Sequence, residues 1–514
     1  MSKDRLWSRA QRYRADGQSV AARIALEKLL QDEPGHIESH LILSNIAWMD
    51  DRTRDAVRHA RQAESNLSNN GMLICDVAEA LLQVGETLAA RNCLDHSALA
   101  GTHDGAVLVR AAALCVLLGE HAEALAFFDR AGAVGVGDAD FHFQRGLELT
   151  VHGRLQEAEI EHQIALRKHP TFGRAALAVS RLRKQTPESN HLATLTERLE
   201  QVAPGTEDHI ALEFATYKEM EDLGHYDDAW TALARGNAMK YALQPYDSRY
   251  AGELFKSLIT RCTPQLLQPE SVHFDGPQPI FIIGMPRSGT TLLDRVMSNH
   301  SQVTSAGELD DFGRQLRLAS NHRITLDEHV VHALPGLDYK EIGRGYLAQT
   351  QWRANGAGFY IDKLPRNWMV AGLIRRALPQ ARILHLVREP MDVCFSNYRA
   401  LLGEAFAYSY DLDALAAHYL QYRQVMAYWH STMQGQILDV SYSELVRNPE
   451  YVIRRIFAFC GLEWEPGCVD LSRNKSVVAT LSMAQVRESI HTRSFQEWRP
   501  YERKLMRLRE AVAE

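Results

Sequence analysis

Gly17, Asp51, Gly85, Gly119 and Gly153 lie 34 residues apart, and five positions after each of them stands an alanine: Ala22, Ala56, Ala90, Ala124 and Ala158. Seven positions before the same markers come Ala10, Ser44, Ala78, Ala112 and Gly146, all small. Twelve positions after them come Leu29, Ala63, Ser97, Ala131 and Ala165, and Pro34 and Pro170 close two of the units. Each unit therefore reads as a helix with a small residue at its crossing point, a turn at the Gly or Asp, and a second helix whose small residues fall one heptad apart. Small side chains let two antiparallel helices approach closely, and Gly takes the left-handed backbone that such a turn requires. A unit of this kind buries its apolar face only against its neighbours, so the pattern demands a stack.

The pattern resembles the tetratricopeptide repeat, a helix-turn-helix unit with the same period. The resemblance covers residues 1–170. Aromatic positions of the consensus are missing, and three units lack the closing Pro, so the repeats are degenerate but in register. A looser match, Gly224 with Ala229, falls 71 residues after Gly153, and one distorted unit is expected in between. Residues 171–267 are expected to continue as helical pairs and a linker. Stacked repeats form extended concave surfaces. The pattern names no ligand, so binding of a partner or of a protein or peptide substrate stands level with a spacer or homodimer role.

The chain has 514 residues, too many for one hydrophobic core, and at least two domains are expected. A net charge of −7 makes nucleic acid a poor partner. The seven cysteines are scattered without a CxxC pair, which argues against a disulfide framework or a zinc site. The 22 histidines show neither HExxH nor HxH, so no metal is assigned. MSKDRLWSRAQRYR is polar where a signal peptide needs an apolar run, and no stretch approaches the ~20 apolar residues of a membrane span. The expected location is cytoplasmic.

At QPESVHFDGPQP, residues 268–279, the grammar changes from helix periodicity to strand signals, and a second domain is expected over 276–514. IFIIG, then MPRSGTT, then TLLDRVMSNH reads as strand, glycine loop and helix, an arrangement that aims backbone N–H groups and a helix N-terminus at one anion. The loop runs Gly284, Met285, Pro286, Arg287, Ser288, Gly289, Thr290, Thr291. Against GxxxxGK[ST], Thr290 stands where the lysine of a nucleoside triphosphatase would be, and the positive charge has moved to Arg287. The strand expected over Arg382–Val387 is followed by Arg388 rather than by a magnesium-holding Asp. The site reads as one for a phosphate anion without metal.

PRSGTTLL after a buried strand resembles the 5′-phosphosulfate loop of the sulfotransferases, which use 3′-phosphoadenosine 5′-phosphosulfate (PAPS) as donor. REPMDVCFSNY, opening on Arg388 with Ser396 eight residues on, is similar to the 3′-phosphate motif of that family. With Arg388 at a strand end and Ser396 about one turn into a helix, a guanidinium fork and a hydroxyl can grip one phosphate. Tyr442, in VSYSELVRNPEY, matches the tyrosine that lies near the adenine ring. Together these matches cover about residues 279–500. They imply that Pro286, Arg287, Ser288, Gly289, Thr290, Thr291, Arg388, Ser396 and Tyr442 bind the donor.

Sulfuryl transfer needs a base for the acceptor hydroxyl and cationic help for the departing phosphate. The histidine that serves as base in small-molecule sulfotransferases is absent from DKLPRNW. The tyrosylprotein enzymes use a glutamate, and Glu308 stands at its spacing, 21 residues after Arg287, with Asp310 and Asp311 as understudies. Lys363 matches the family's catalytic lysine, and Arg287 belongs to the same machinery. Ser482 matches a transition-state serine through S-x-x-Q-V, with Gln485 and Trp498 in step. Glu497 stands where a basic residue precedes that Trp, leaving Arg487, Arg493 and Arg499 as candidates to close over the donor. His300 and His385 are read as hydrogen-bonded histidines, and YERKLMRLREAVAE as a docked amphipathic helix.

The expected fold is thus an all-α tetratricopeptide-like solenoid followed by an α/β P-loop-like domain with a parallel sheet flanked by helices. The expected activity is PAPS-dependent sulfuryl transfer to a hydroxyl acceptor. A Glu base and a chain-binding array favour a protein or peptide tyrosine over a glycan or small metabolite. A P-loop kinase and a non-catalytic scaffold are the alternatives.

Overall fold

The computed structural model describes residues 3–269, 272–474 and 495–513. The first 170 residues form helical pairs, beginning with Lys3–Ala15 and Ser19–Asp32, and five of their turns take positive φ: Gly17, Asp51, Gly85, Gly119 and Gly153. These are the five residues spaced by 34. The alanines that follow them, Ala22, Ala56, Ala90, Ala124 and Ala158, are wholly buried, as close helix crossing requires. One heptad position departs from the pattern. In the third unit the second helix stops at Leu94, and Ser97 opens a separate four-residue helix, Ser97–Ala100, capped by the His96 ring on the Ala98 N–H. Ser97 is exposed, and Leu99, two residues on, is the buried residue there.

The chain packs as two compact units that do not follow sequence order: residues 1–136 with 310–352, and residues 137–309 with 353–514. In the first unit, the helices Asp311–Ser320 and Tyr339–Thr350 lie against repeat helices. Arg54 donates to the Ala319 carbonyl at 2.6 Å, its N–H bonds Asn321 Oδ1 at 3.0 Å, and Thr87 donates to Asp311 Oδ1 at 2.8 Å. The Asp311 carboxylate is therefore buried and engaged with the array, and Asp310 pairs with Arg317 at 3.3 Å. Neither behaves as a spare base.

The second unit holds the fifth repeat pair, Ala139–Val151 with Leu155–Lys168, the later helices to Arg261, and an all-parallel five-stranded sheet. Its strands are β1 (Gln278–Gly284), β2 (Val303–Ser305), β3 (Phe359–Asp362), β4 (Arg382–Val387) and β5 (Ile437–Ser441), in the order β2-β3-β1-β4-β5. One face buries Ile280, Ile282, Ile361, Leu384 and Leu386 against Leu293 and Val296 of the loop helix and Ile453 and Ile456 of the helix Pro449–Cys460. On the other side of the sheet, His385 of β4 meets Tyr422, whose ring packs on Trp368. Because both faces are covered, the strands read as apolar runs rather than as alternating ones. The chain leaves β1 to build β2 and β3 on one side and β4 and β5 on the other. The carboxyl end of β1 is thus the topological switch point at which open α/β sheets bind ligands.

The helices of the second unit also brace this sheet. Asn237 donates to the Tyr398 carbonyl at 3.1 Å, and the Tyr501 hydroxyl bonds Glu221 at 3.1 Å. The terminal helix is Met506–Ala513, shorter than the amphipathic segment, and docks through Leu508 and Val512. Among the described residues, no helix is long and apolar enough to cross a membrane.

Candidate functional site

β1 ends at Gly284, and the chain turns through the loop into the helix Thr290–Met297. Arg287 sits at φ 67°, a left-handed conformation uncommon for a non-glycine residue, which is found where the surroundings impose it. The surroundings here are specific. Its Nε donates to Ser396 Oγ at 3.4 Å, and its carbonyl accepts from Arg388 at 3.0 Å. Asn397 donates to the Pro286 carbonyl at 2.7 Å, so the helix Pro390–Tyr398 clamps the loop at two successive residues. Sequence reasoning named Arg287, Ser396 and Arg388 but missed Asn397. Its place beside Ser396 was the only signal.

Tyr442 opens the helix that follows β5. The Arg388 guanidinium lies 4.8 Å from the centre of its ring, and the ring fills the space at Gly289, where a Cβ would come within 2.4 Å of it. Gly289 also has φ 102°, so both the backbone and the ring require glycine there. Ser288 is buried, and among the described residues its hydroxyl has no hydrogen-bond partner. A buried polar atom left this way costs stability, and an anion in the loop would satisfy it. Thr290 and Thr291 form the buried first turn of the helix. The loop, Arg388, Ser396 and Tyr442 therefore converge in space, although they span residues 284–442.

The electrostatics point the same way. Desolvation, then the charges of Arg399, Arg181 and Arg388, press the Arg287 guanidinium down to about 10. Burial and Arg399 likewise press Arg181 down to about 10. Arg399 is partly balanced by Glu497 at 3.0 Å and Glu221 at 3.5 Å. Thus Glu497, at the position where a basic residue was sought, anchors an arginine of this cluster. Three guanidiniums thus crowd Arg287 beside the glycine loop, a concentration of positive charge that favours an anion there. Arg181 and Arg399 carried no motif and were not legible in the sequence.

On the other side of β1, Lys363 follows directly on β3, and its buried ammonium bonds Glu308 Oε1. Glu308 lies in the loop after β2, with its side chain about half exposed. The Lys363 N–H bonds the Gly307 carbonyl at 2.9 Å, so backbone as well as side chain ties the two segments. Behind them lies a residue that sequence reasoning missed. Asp294, buried on the loop helix, accepts from Ser305 at 2.9 Å and leaves its Oδ1 without a hydrogen bond. Burial raises it to about 6, against the opposing pull of Lys363.

Ser482 lies outside the described residues, as do Gln485, Arg487 and Arg493. Trp498 is buried, and Arg499 stacks on it at 5.1 Å. His300 bonds the Glu463 carbonyl at 2.9 Å, in keeping with a structural role. His385 bonds Asp439 at 2.7 Å and the Tyr422 hydroxyl, which also engages the Met285 backbone in the loop. Among the described residues, His385, His430 and Asp439 form one group whose ligand atoms all lie within 4.8 Å of one another.

Residues 279–466 match the sulfotransferase family. An uncharacterised protein of Aquifex aeolicus is 29% identical over 391 residues, 71% of this chain, and the match spans about half (49%) of that relative. A putative protein-tyrosine sulfotransferase of Caenorhabditis briggsae is 25% identical over 242 residues, 43% of this chain and 80% of the relative. Of solved structures, the sulfotransferase domain from the Synechococcus PCC 7002 olefin synthase is 21% identical, covers 48% of this chain and 98% of its own, and has a TM-score of 0.30. A tetratricopeptide repeat protein from Parabacteroides merdae is 17% identical, covers 49% of this chain and 97% of its own, and has a TM-score of 0.34. The chain thus carries a sulfotransferase-family domain in its C-terminal part.

Proposed function

We propose that the second unit transfers the sulfuryl group of 3′-phosphoadenosine 5′-phosphosulfate to a hydroxyl acceptor. The observation that carries this reading is the convergence of Arg287, Arg388, Ser396 and Tyr442 on one glycine loop whose Ser288 hydroxyl lacks a partner. Two anionic groups are served: one by the loop N–H groups and Ser288, Thr290 and Thr291, the other by Arg388 and Ser396. Tyr442 offers an aromatic face to a base. The lysine needed for phosphoryl transfer is replaced by Thr290, which disfavours a kinase.

In the proposed reaction, the acceptor oxygen bonds to sulfur as the bond from sulfur to the donor's phosphate oxygen breaks. Glu308 takes the acceptor proton, and Lys363 neutralises charge on the departing phosphate. The Lys363 ammonium bonds Glu308, which sets base and cation side by side. Arg287 supplies fixed positive charge to the donor. Ser482 is proposed for the same transition state on its motif alone. A protein or peptide tyrosine is the acceptor we favour. The half-exposed Glu308 leaves the base open to a large substrate, and several relatives are named as protein-tyrosine sulfotransferases. The array is proposed to hold that chain or a partner, in a cytoplasmic protein that needs no metal for the transfer.

The test is a thermal-shift titration with 3′,5′-adenosine bisphosphate, AMP and magnesium ATP. Ligand at about 100 times its dissociation constant stabilises a domain by roughly 2.7 kcal/mol. The expected result is a shift with the bisphosphate that AMP and magnesium ATP do not match. A shift with magnesium ATP alone overturns the donor assignment.

A further inference from the structure

His385, Asp439 and His430 come from three elements. His385 and Asp439 are register partners on β4 and β5, so their side chains leave one face of the sheet side by side. His430 descends on them from the last turn of the helix Leu412–Thr432. His385 Nδ1 lies 2.7 Å and His430 Nε2 2.9 Å from the same oxygen, Asp439 Oδ1. The second approach is an ion-pair contact whose hydrogen-bond alignment is poor. Two imidazole nitrogens thus converge on one carboxylate oxygen.

We propose that these three residues are a binding site for a first-row divalent transition metal ion, zinc above all, held by His385 Nδ1, His430 Nε2 and the Asp439 carboxylate. Two imidazoles and one carboxylate suit zinc and its neighbours, whereas magnesium and calcium favour all-oxygen shells. Zinc ligands in a tetrahedral site stand roughly 3.4 Å apart, given bonds of about 2.1 Å. Both nitrogens therefore stand some tenths of an ångström nearer the carboxylate oxygen than ligands of one zinc ion do. The outer shell is also in place, since the other nitrogen of His385 bonds the Tyr422 hydroxyl, the kind of contact that orients metal-binding histidines. The carboxylate is 55% exposed and His430 34%, while His385 is 6%, which gives a buried anchor with a route for the ion from solvent. Three protein ligands leave a fourth position for water. No sequence-local pair signals this site, because its ligands lie 9 to 54 positions apart. It is independent of the reaction proposed above.

The test uses the full chain without a histidine tag, stripped by chelator and titrated with zinc by calorimetry beside Asp439→Asn and His430→Ala. Cobalt is then added to read coordination from its visible spectrum. The expected result is one zinc per chain in the parent and loss of that stoichiometric site in both variants, with cobalt bands that the variants lack. Circular dichroism and a melt confirm that the variants are folded. If the parent takes up no stoichiometric zinc, or if folded variants bind it equally well, the trio is a hydrogen-bonded network and the proposal fails.

Discussion

In the repeat array, the residues that set the packing recur every 34 positions, and each acts within its own helical pair. The candidate site instead joins Arg287 to Ser396 across 109 positions and Glu308 to Lys363 across 55. The array's five spaced alanines are wholly buried and uncharged. The site's residues are charged, crowded by like charges and held in costly conformations, as Arg287 is at φ 67°. The contrast teaches where stability and function are lodged. Array substitutions should act through packing, and site substitutions through charge and geometry.

The largest effect expected is on turnover. Glu308→Gln should lower kcat by about 10²- to 10⁴-fold, with bisphosphate affinity nearly unchanged and the melting temperature preserved. Parent-like turnover would remove Glu308 as the base. Arg388→Ala should next weaken 3′,5′-adenosine bisphosphate by about 1.5–3 kcal/mol, the worth of a hydrogen bond to a charged group, and AMP by much less. Equal losses in calorimetry would place the 3′-phosphate elsewhere.

Gly289→Ala sharpens the geometric half of the contrast. Its Cβ would meet the Tyr442 ring at 2.4 Å and strain a backbone at φ 102°, so about 1–3 kcal/mol of bisphosphate affinity should be lost without any change of charge. In the array, Ala124→Leu forces three more carbons into a fully buried helix crossing. It should destabilise the protein by about 1–3 kcal/mol, read from denaturant midpoints, while leaving bisphosphate affinity as it was. A loss of affinity there would break the comparison.

The array was legible because its signal is repetition: five turns and five buried alanines stand where the period puts them. The break at Ser97 was not, since Asp95 and His96 end one helix and cap another by local bonds that the period cannot show. The assembly of residues 310–352 with the repeats depends on contacts such as Thr87 to Asp311, which leave no local pattern. At the site, Arg287, Arg388, Ser396 and Tyr442 stand in short motifs, and those motifs meet in space. Asn397, Arg181, Arg399 and Asp294 were missed because each matters only through a partner distant in sequence. The His385–Asp439–His430 cluster escaped for the same reason, since a search for HxH and HExxH sees only neighbours on one element.

Asp294 provides the most exacting test, because it is a site residue predicted to behave as a stability residue. Its folded value of about 6 stands above the ordinary 3.8, so the native state holds a proton that the unfolded chain releases at lower pH. Between about pH 4 and 6, the native state therefore loses stability as pH rises, and above that range the cost is fully felt. Asn keeps the shape and the Ser305 contact without the buried charge. Asp294→Asn should match the parent near pH 4 and become more stable by up to about 3 kcal/mol at pH 8, the worth of a rise of some two pKa units in which the pull of Lys363 is already counted. Melting curves across pH 4 to 8 read this directly. If the variant is instead less stable at pH 8, the attraction to Lys363 outweighs desolvation, and Asp294 belongs with the charged machinery of the site.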